Sequence, residues 1–378
     1  MLRYSAIVAT LLAFAQHVAA ADAPRSPTPA SERSPFEVST VAKGIERGWG
    51  FVFLPDNRLL VTERGGRMRI VDTDGTLSAP LQGLPKIAVA GQGGLLDVTL
   101  SPDFANDRLV YFSFAEAGEG GAGTAVARGK LAASSLENVQ VIWRQQPKVD
   151  GGNHFGSRIV FRGDGTMFVT VGDRFTHREK VQDLGTTVGK VVRINADGSV
   201  PRDNPFVNRA GARPEIWSYG HRNVQAATLQ PGTRELWTIE HGARGGDEIN
   251  NPQAGRNYGW PVITYGVDYS GAKIGEGTAK PGMEQPVYYW DPVIAPSGAV
   301  FYTGQAFAQW QGNLFVGSMN PGCLVRLELE NGQVRRETRY LGELDERIRD
   351  VQQGSDGLLY VLTDSNRGRV LKLAPKKR

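Results

Sequence analysis

Four histidines beyond residue 21 are the first candidates for chemistry: His154, His177, His221 and His241. Three stand in glycine-rich polar contexts: Gly151-Gly152-Asn153-His154-Phe155-Gly156, Tyr219-Gly220-His221-Arg222-Asn223, and Glu240-His241-Gly242-Ala243-Arg244-Gly245-Gly246-Asp247-Glu248. Imidazole is the side chain best suited to take a proton near neutrality, and glycine neighbours let backbone approach a ligand closely. The plainer alternative is that each imidazole bonds a loop carbonyl. Their spacing does not fit a His-rich transition-metal site. The stretch from Glu240 to Tyr258 is dense in hard oxygen donors: Glu240, Asp247, Glu248, Asn250, Asn251 and Asn257. Calcium takes about six to eight such oxygens. The spacing is not that of an EF-hand, so a polar turn cluster with solvated carboxylates stands as the other reading.

Arg347-Ile348-Arg349 is followed by Asp350. On a strand, residues two apart share a face, so both guanidinium groups would meet the same neighbour. They repel unless an anion joins them: a carboxylate or phosphate ligand, or simply Asp350 or Glu346. Gly91-Gln92-Gly93-Gly94 lacks the Gly-Lys-Ser/Thr of a phosphate-binding loop.

These residues need a scaffold, and a repeated unit supplies one. Six times a turn of Gly, Asp or Asn leads into an apolar strand: at Leu59, Leu109, Met167, Leu236, Leu314 and Leu359. The unit recurs about every 60 residues, the strand-and-turn period of a propeller. Six copies predict an all-β, six-bladed β-propeller of four-stranded antiparallel blades, with long loops on the active-site face. A strand near Phe36–Val41 should pair with the last strands around Arg369–Leu373 and close the ring. Chemistry is expected just after each repeated strand or in the longest loops.

Composition agrees. Of 378 residues 47 are Gly, well above the usual share of about 7%, which disfavours a helical bundle. With 40% hydrophobic residues a large core is available, and disorder of the whole chain is excluded. The net charge of +4, from 43 Lys+Arg against 39 Asp+Glu, gives no case for nucleic-acid binding. One cysteine, Cys323, forbids an internal disulfide. Arg3, an apolar run from Ile7 to Ala15 and small residues up to Ala21 read as a cleaved signal peptide over 1–21. A flexible Pro/Ser-rich leader over 22–35 would follow, then one propeller domain over 36–378, in a periplasmic or secreted protein with no membrane span.

Taken together, several motifs resemble the soluble quinoprotein sugar dehydrogenases, the aldose sugar dehydrogenase and soluble glucose dehydrogenase family. They are Gly50-Phe51, Gly91-Gln92-Gly93-Gly94-Leu95-Leu96-Asp97, Asn153-His154-Phe155-Gly156-Ser157-Arg158 and Ile216-Trp217-Ser218-Tyr219-Gly220-His221-Arg222-Asn223. Further on come Glu240-His241-Gly242, Gly246-Asp247-Glu248-Ile249-Asn250, Asn257-Tyr258-Gly259-Trp260-Pro261, Arg347-Ile348-Arg349-Asp350-Val351 and Leu362-Thr363-Asp364. The resemblance runs from about Phe36 to the C-terminus.

It implies a six-bladed propeller that uses pyrroloquinoline quinone (PQQ) and calcium to oxidise the anomeric carbon of aldoses to lactones, with electrons passing to an external acceptor. His154 matches the general base, and Arg222 the arginine beside the reacting quinone carbonyl. Asn223, Arg347, Arg349 and Asp364 match cofactor-pocket residues, and Gln92 one on the substrate side of that pocket. The carbonyls of Gly242 and Ala243 match ligands of the quinone-bound calcium, and Glu248 and Tyr258 a second, structural calcium site. No nucleic acid is implied, and the protein would be a monomer or homodimer. The chain departs from the pattern at Asn320, where relatives carry a cofactor-facing Lys, and at Asn153, where some carry an Asp beside the base. Val224, Ala226 and Ala243 also replace a usual Pro, Gly and Pro. Two alternatives follow: a sugar- or quinone-binding propeller with weakened or lost turnover, suggested by Asn320, and a calcium-dependent lactonase.

Overall fold

The structure is a computed structural model that describes residues 34–376 together with Pro29 and Glu32. Six antiparallel sheets follow one another in chain order around a ring. The first blade is Gly48–Phe53, Leu59–Glu63 and Arg67–Val71. Its fourth position is held by the irregular segment 77–81, whose Ser78 and Leu81 N–H groups donate to the carbonyls of Ile70 and Met68. The second blade is Leu95–Leu100, Leu109–Gly118, Gly121–Leu131 and Leu136–Arg144. The third is Ile159–Phe161, Thr166–Val171, Lys190–Asn195 and Ile216–Tyr219. Val224–Leu229, Leu236–Glu240, Asp247–Asn250 and Tyr288–Trp290 form the fourth. Pro296–Phe301, Leu314–Ser318, Cys323–Glu330 and Gln333–Tyr340 form the fifth.

The sixth blade combines both ends of the chain. Ile348–Gln353, Leu359–Thr363 and Gly368–Pro375 take Phe36–Ile45 as their outer strand, with Phe36 opposite Pro375 and Ile45 opposite Gly368. All six repeated units prove to be the second strand of a blade. Apolar side chains meet between neighbouring sheets, such as Leu60, Val98 and Phe112 between blades one and two, and Trp237, Ile249 and Val316 between four and five. Each such burial contributes about 1.5–3 kcal/mol.

Hydroxyls stitch blade to blade near the channel. Thr62 accepts the Gly50 N–H at 3.0 Å and donates to the Leu96 carbonyl of the next blade at 2.5 Å. Ser113 does the same between Asp97 N–H and the Ser157 carbonyl, and Thr170 between Arg158 N–H and the Val224 carbonyl. In blade five the job falls to Ser297, which donates to the Ile348 carbonyl at 2.6 Å.

A second device repeats around the ring. In five blades the innermost strand slips register against its neighbour, between Gly48 and Gly50, Leu95 and Val98, Val224 and Ala226, Pro296 and Ala299, and Ile348 and Asp350. A bulge leaves the extra residue unpaired and re-aims its side chain. The residues passed over include Trp49, Leu96, Gln225 and Arg349, and all four line one cavity at the channel mouth. No helix among the described residues is long and apolar enough to cross a membrane. The segments read as signal peptide and most of the leader lie outside the described residues.

Candidate active site

The cavity holds about 130 Å³ and opens to solvent. Trp49, Leu96 and Phe155 give it apolar walls; Arg64, Arg347 and Arg349 give it charge; Gln92, Asn223 and Gln225 give it hydrogen-bonding groups. Below it, Arg158 pairs with Asp97 at 2.9 Å and Asp350 at 3.2 Å, with its guanidinium 4.4 Å over the ring of Trp49. This plug separates the mouth from a concavity on its other side, also lined by Asp97, Arg158 and Asp350.

His154 sits at the mouth, 5% exposed, in the left-handed backbone region at φ 53°. A non-glycine residue there costs about 1–3 kcal/mol, and such strain clusters at functional sites. Three groups hold it. Its backbone N–H donates to Gln92 Oε1 at 2.9 Å. Its Nδ1–H donates to Asp173 Oδ1 at 2.7 Å. Arg174, buried on the face of Phe155, donates to the carbonyls of Asn153, Gly151 and Ala122 and so fixes the loop that leads into it. Asp173 is itself oriented by the Phe175 N–H and by Trp260 Nε1–H, each at 2.8 Å.

With Nδ1–H committed to a carboxylate, the free lone pair of the neutral ring lies on Nε2, which has no partner among the described residues. Burial lowers the basicity of His154 below that of ordinary imidazole; Asp173 opposes this, and the charges of Arg222 and Arg174 reinforce it. Burial works to raise the Asp173 carboxyl, but His154 and then Arg222 outweigh it and keep the group ionised.

Of the other two glycine-flanked histidines, His221 is closed at both ring nitrogens, while His241 lines the cavity with only its Nε2 engaged. His221 bonds Glu240 Oε1 at 2.9 Å and Ser218 Oγ at 2.8 Å. His241 donates from Nε2 to the Pro296 carbonyl at 2.6 Å, and burial pushes its pKa down to about 3, so it stays neutral. His177 lies at the rim, 2.6 Å from Asp150.

Arg222 stands beside this mouth. Its Nη1 donates to the carbonyls of His241 and Gly242, its plane lies 5.1 Å from Trp260, and its buried Nε has no partner. Gly242 could be nothing else: a Cβ there would lie 2.2 Å from the Gly245 carbonyl. Asp247 braces that loop, accepting the N–H groups of Gly242, Ile294 and Ala295 at 2.7–2.8 Å. Arg347 and Arg349 share one anion, and it is Asp364, at 3.4 and 2.9 Å. Asp350 serves Arg158 and Glu346 serves Arg369. Asn223 is buried, its Oδ1 accepting the Gly156 N–H and Gln225 Nε2–H, each at 3.2 Å. Asn320 stands exposed, while its neighbour Met319 lines the cavity.

Glu248 and Tyr258 fall outside the cavity, behind His221. Glu248 lies directly opposite Glu240 across the sheet, and Tyr258 stacks on the His221 ring at 4.9 Å. Burial, and then the charge of Glu240, push the Glu248 carboxyl well above its ordinary range. Asn250 Oδ1 is buried there without a donor. Surplus oxygen acceptors without donors suit a hard cation.

Sequence reasoning missed Trp49, Arg64, Asp173 and Trp260. It looked to Asn153 for the group beside the base, whereas Asp173 does that work. Asp173 and Arg64 each follow a repeated strand, so the rule that chemistry lies just past those strands would have found both.

An imidazole held by a carboxylate, next to a cavity with arginines in its walls, can take a proton beside a bound anion. The chain belongs to the Glucose / Sorbosone dehydrogenase family, whose model matches residues 45–372. It is 46% identical over 345 residues to the aldose sugar dehydrogenase YliI of Escherichia coli strain K12, covering 90% of this chain and 93% of that one. The crystal structure of the soluble aldose sugar dehydrogenase from Escherichia coli in the apo-form superposes with TM-score 0.88 at 45% identity, over 90% of this chain and 100% of the other. The PQQ-bound form of an aldose sugar dehydrogenase from Streptomyces coelicolor superposes with TM-score 0.74 at 26% identity, over 92% and 100%. The protein is an oxidoreductase of this kind.

Proposed function

We propose that the chain oxidises the anomeric carbon of aldose sugars to lactones with PQQ and calcium, His154 acting as the base. One observation carries this reading: Nε2 of His154 is without a partner among the described residues, with Nδ1 tied to Asp173, and its neighbours Phe155, Gly156 and Gln92 line a cavity walled by aromatic and arginine side chains. A planar tricarboxylate fits that chemistry, since Arg349 Nε and Arg222 Nε are both buried without acceptors.

A bound quinone would supply the hydride acceptor, and a calcium ion would supply Lewis-acid charge there. Arg347 and Arg349 would hold its carboxylates, and Asn223 and Gln92 its polar edge. Gly242 and Ala243 would hold the calcium through their carbonyls; the Gly242 oxygen is an acceptor turned to the site, since it already takes a bond from Arg222. Glu248 and Tyr258 would hold the second calcium.

The rest belongs to the chain's own groups. Nε2 of His154 takes the proton of the anomeric hydroxyl. Asp173 keeps Nδ1 protonated and stabilises the imidazolium that results, and Trp260 keeps Asp173 in place. Arg222, without a carboxylate partner among the described residues, offers positive charge where negative charge develops.

An export signal over residues 1–21 would place the reaction in the periplasm or outside the cell. A lactonase would turn channel carboxylates toward a metal, and here Asp97 and Asp350 are paired with Arg158. The deciding experiment is a dye-linked dehydrogenase assay across aldoses, with and without calcium plus PQQ. Turnover only with both additions is expected. No turnover, together with no spectral change on mixing, overturns the reading.

A further inference from the structure

The mouth holds more positive charge than its carboxylate can balance. Asp364 receives Arg349 at 2.9 Å, Arg347 at 3.4 Å and, from the rim, Arg47 at 4.0 Å. Arg64 lines the same cavity and has no side-chain hydrogen bond or ion pair among the described residues. Its neighbour Glu63 is already taken, by Arg67 at 2.6 Å and by the Glu46 N–H at 2.7 Å.

Nor is Arg64 a loose surface residue. Its N–H donates to the Arg47 carbonyl at 3.0 Å, and its carbonyl accepts from Leu95 at 3.2 Å. Gly94 packs so closely on that carbonyl that a Cβ would lie 1.9 Å away. The backbone is pinned between blades one and two, with the guanidinium left free at the cavity wall. Its field reaches Asp364: burial works to raise that carboxyl, and Arg349, Arg347 and Arg64 together hold it below the usual range. Gathering guanidinium groups around one carboxylate is unfavourable until a further anion enters. At the turn after strand Leu314–Ser318, the side chain against the cavity is Met319, and Asn320 is exposed and carries no charge.

We propose that Arg64 is the third cation of the carboxylate clamp, beside Arg347 and Arg349. The proposal rests on the anionic-cofactor reading above and adds a residue to it. Its ligand chemistry is a planar aromatic anion with several carboxylates, gripped by Arg64, Arg347 and Arg349.

The test is direct titration of purified apoprotein, followed by tryptophan fluorescence and melting temperature, with two probes. One is PQQ with calcium; the other is benzene-1,2,4-tricarboxylate, which has carboxylates and no quinone. Arg64→Ala should weaken both by about 10–100-fold, as loss of a charge-assisted hydrogen bond does. Arg64→Lys should keep most of the affinity, which also covers the case of an alanine variant that folds poorly. If wild type and Arg64→Ala bind PQQ equally, the clamp assignment falls and the cofactor reading stands. If wild type binds the tricarboxylate but not PQQ, and Arg64→Ala binds neither, the assignment stands and the cofactor reading falls. Binding of neither probe by wild type overturns both.

Discussion

His154 and His221 occupy matching places in neighbouring blades. Each precedes the innermost strand of its blade, and each bonds through Nδ1 to a carboxylate 19 residues later, at the end of the second strand. Beyond Nδ1 they part. Ser218 caps Nε2 of His221 at 2.8 Å, and Tyr258 lies nearly parallel to the ring at 18°. At His154 Nε2 stays open, and Phe175 meets the ring edge-on at 5.1 Å. A carboxylate-held imidazole serves as a structural staple when its far nitrogen is capped, and is available to act as a base, the role proposed for His154, when that nitrogen is left open. The chain contains both arrangements, one blade apart.

Mutation can break this contrast. The largest effect is expected from His154→Ala: kcat should fall by about 10²–10⁴-fold, the usual worth of a positioned base, while PQQ affinity changes little. His221→Ala should instead lower the melting temperature, since the buried Glu240 keeps the Arg222 N–H and Asn250 Nδ2–H but loses the imidazole, at a cost of about 1–3 kcal/mol. A His221→Ala enzyme that melts normally but does not turn over would erase the distinction.

Next in size comes Asp173→Asn. Losing the group that fixes the tautomer should cost about 10–100-fold in plateau kcat. The pH profile gives the sharper reading. Asp173 raises the basicity of His154 against the effect of burial, so removing its charge lowers that pKa further. The base must be unprotonated to act, so activity is lost as pH falls through its pKa. The acid limb of kcat/KM should thus move to lower pH in Asp173→Asn and stay in place in His221→Ala. A limb that moves upward would refute the assigned pair.

The smallest effect belongs to Trp260→Phe, which removes one donor to Asp173 but leaves a ring beneath Arg222. A single hydrogen bond is worth about 1 kcal/mol, so kcat should fall only a few-fold, read in the same dye-linked assay.

The ring was legible because its signals are local. A turn of Asp, Asn and Gly followed by Leu, Val and aromatic residues marks every second strand, and six such marks count six blades. His154, Arg222, Arg347 and Arg349 stood out by type and spacing. Trp49 and Gln225 did not, because a register slip depends on the pairing of two strands and leaves no residue type of its own. Asp173 escaped for a related reason: its partner is 19 residues distant, across a hairpin, while Asn153 adjoins the histidine and drew the eye. The bridging role of Asp364 was hidden by the nearer Asp350 and Glu346. Proximity in sequence misled wherever a blade folds back on itself.

The pairing of Phe36–Ile45 with Gly368–Pro375 has a temporal consequence. During synthesis the first of these strands emerges with no partner, and its partner follows only after the strands of the other five blades. Five blades can assemble in order as they appear, but the sixth must wait for the full chain. Until then two sheet edges lie open, the condition under which strands pair with the wrong neighbour. Closing the longest loop in the molecule is the final step. Loss of Gly368–Pro375 would leave Phe36–Ile45 without its mate, an open edge able to pair with another chain.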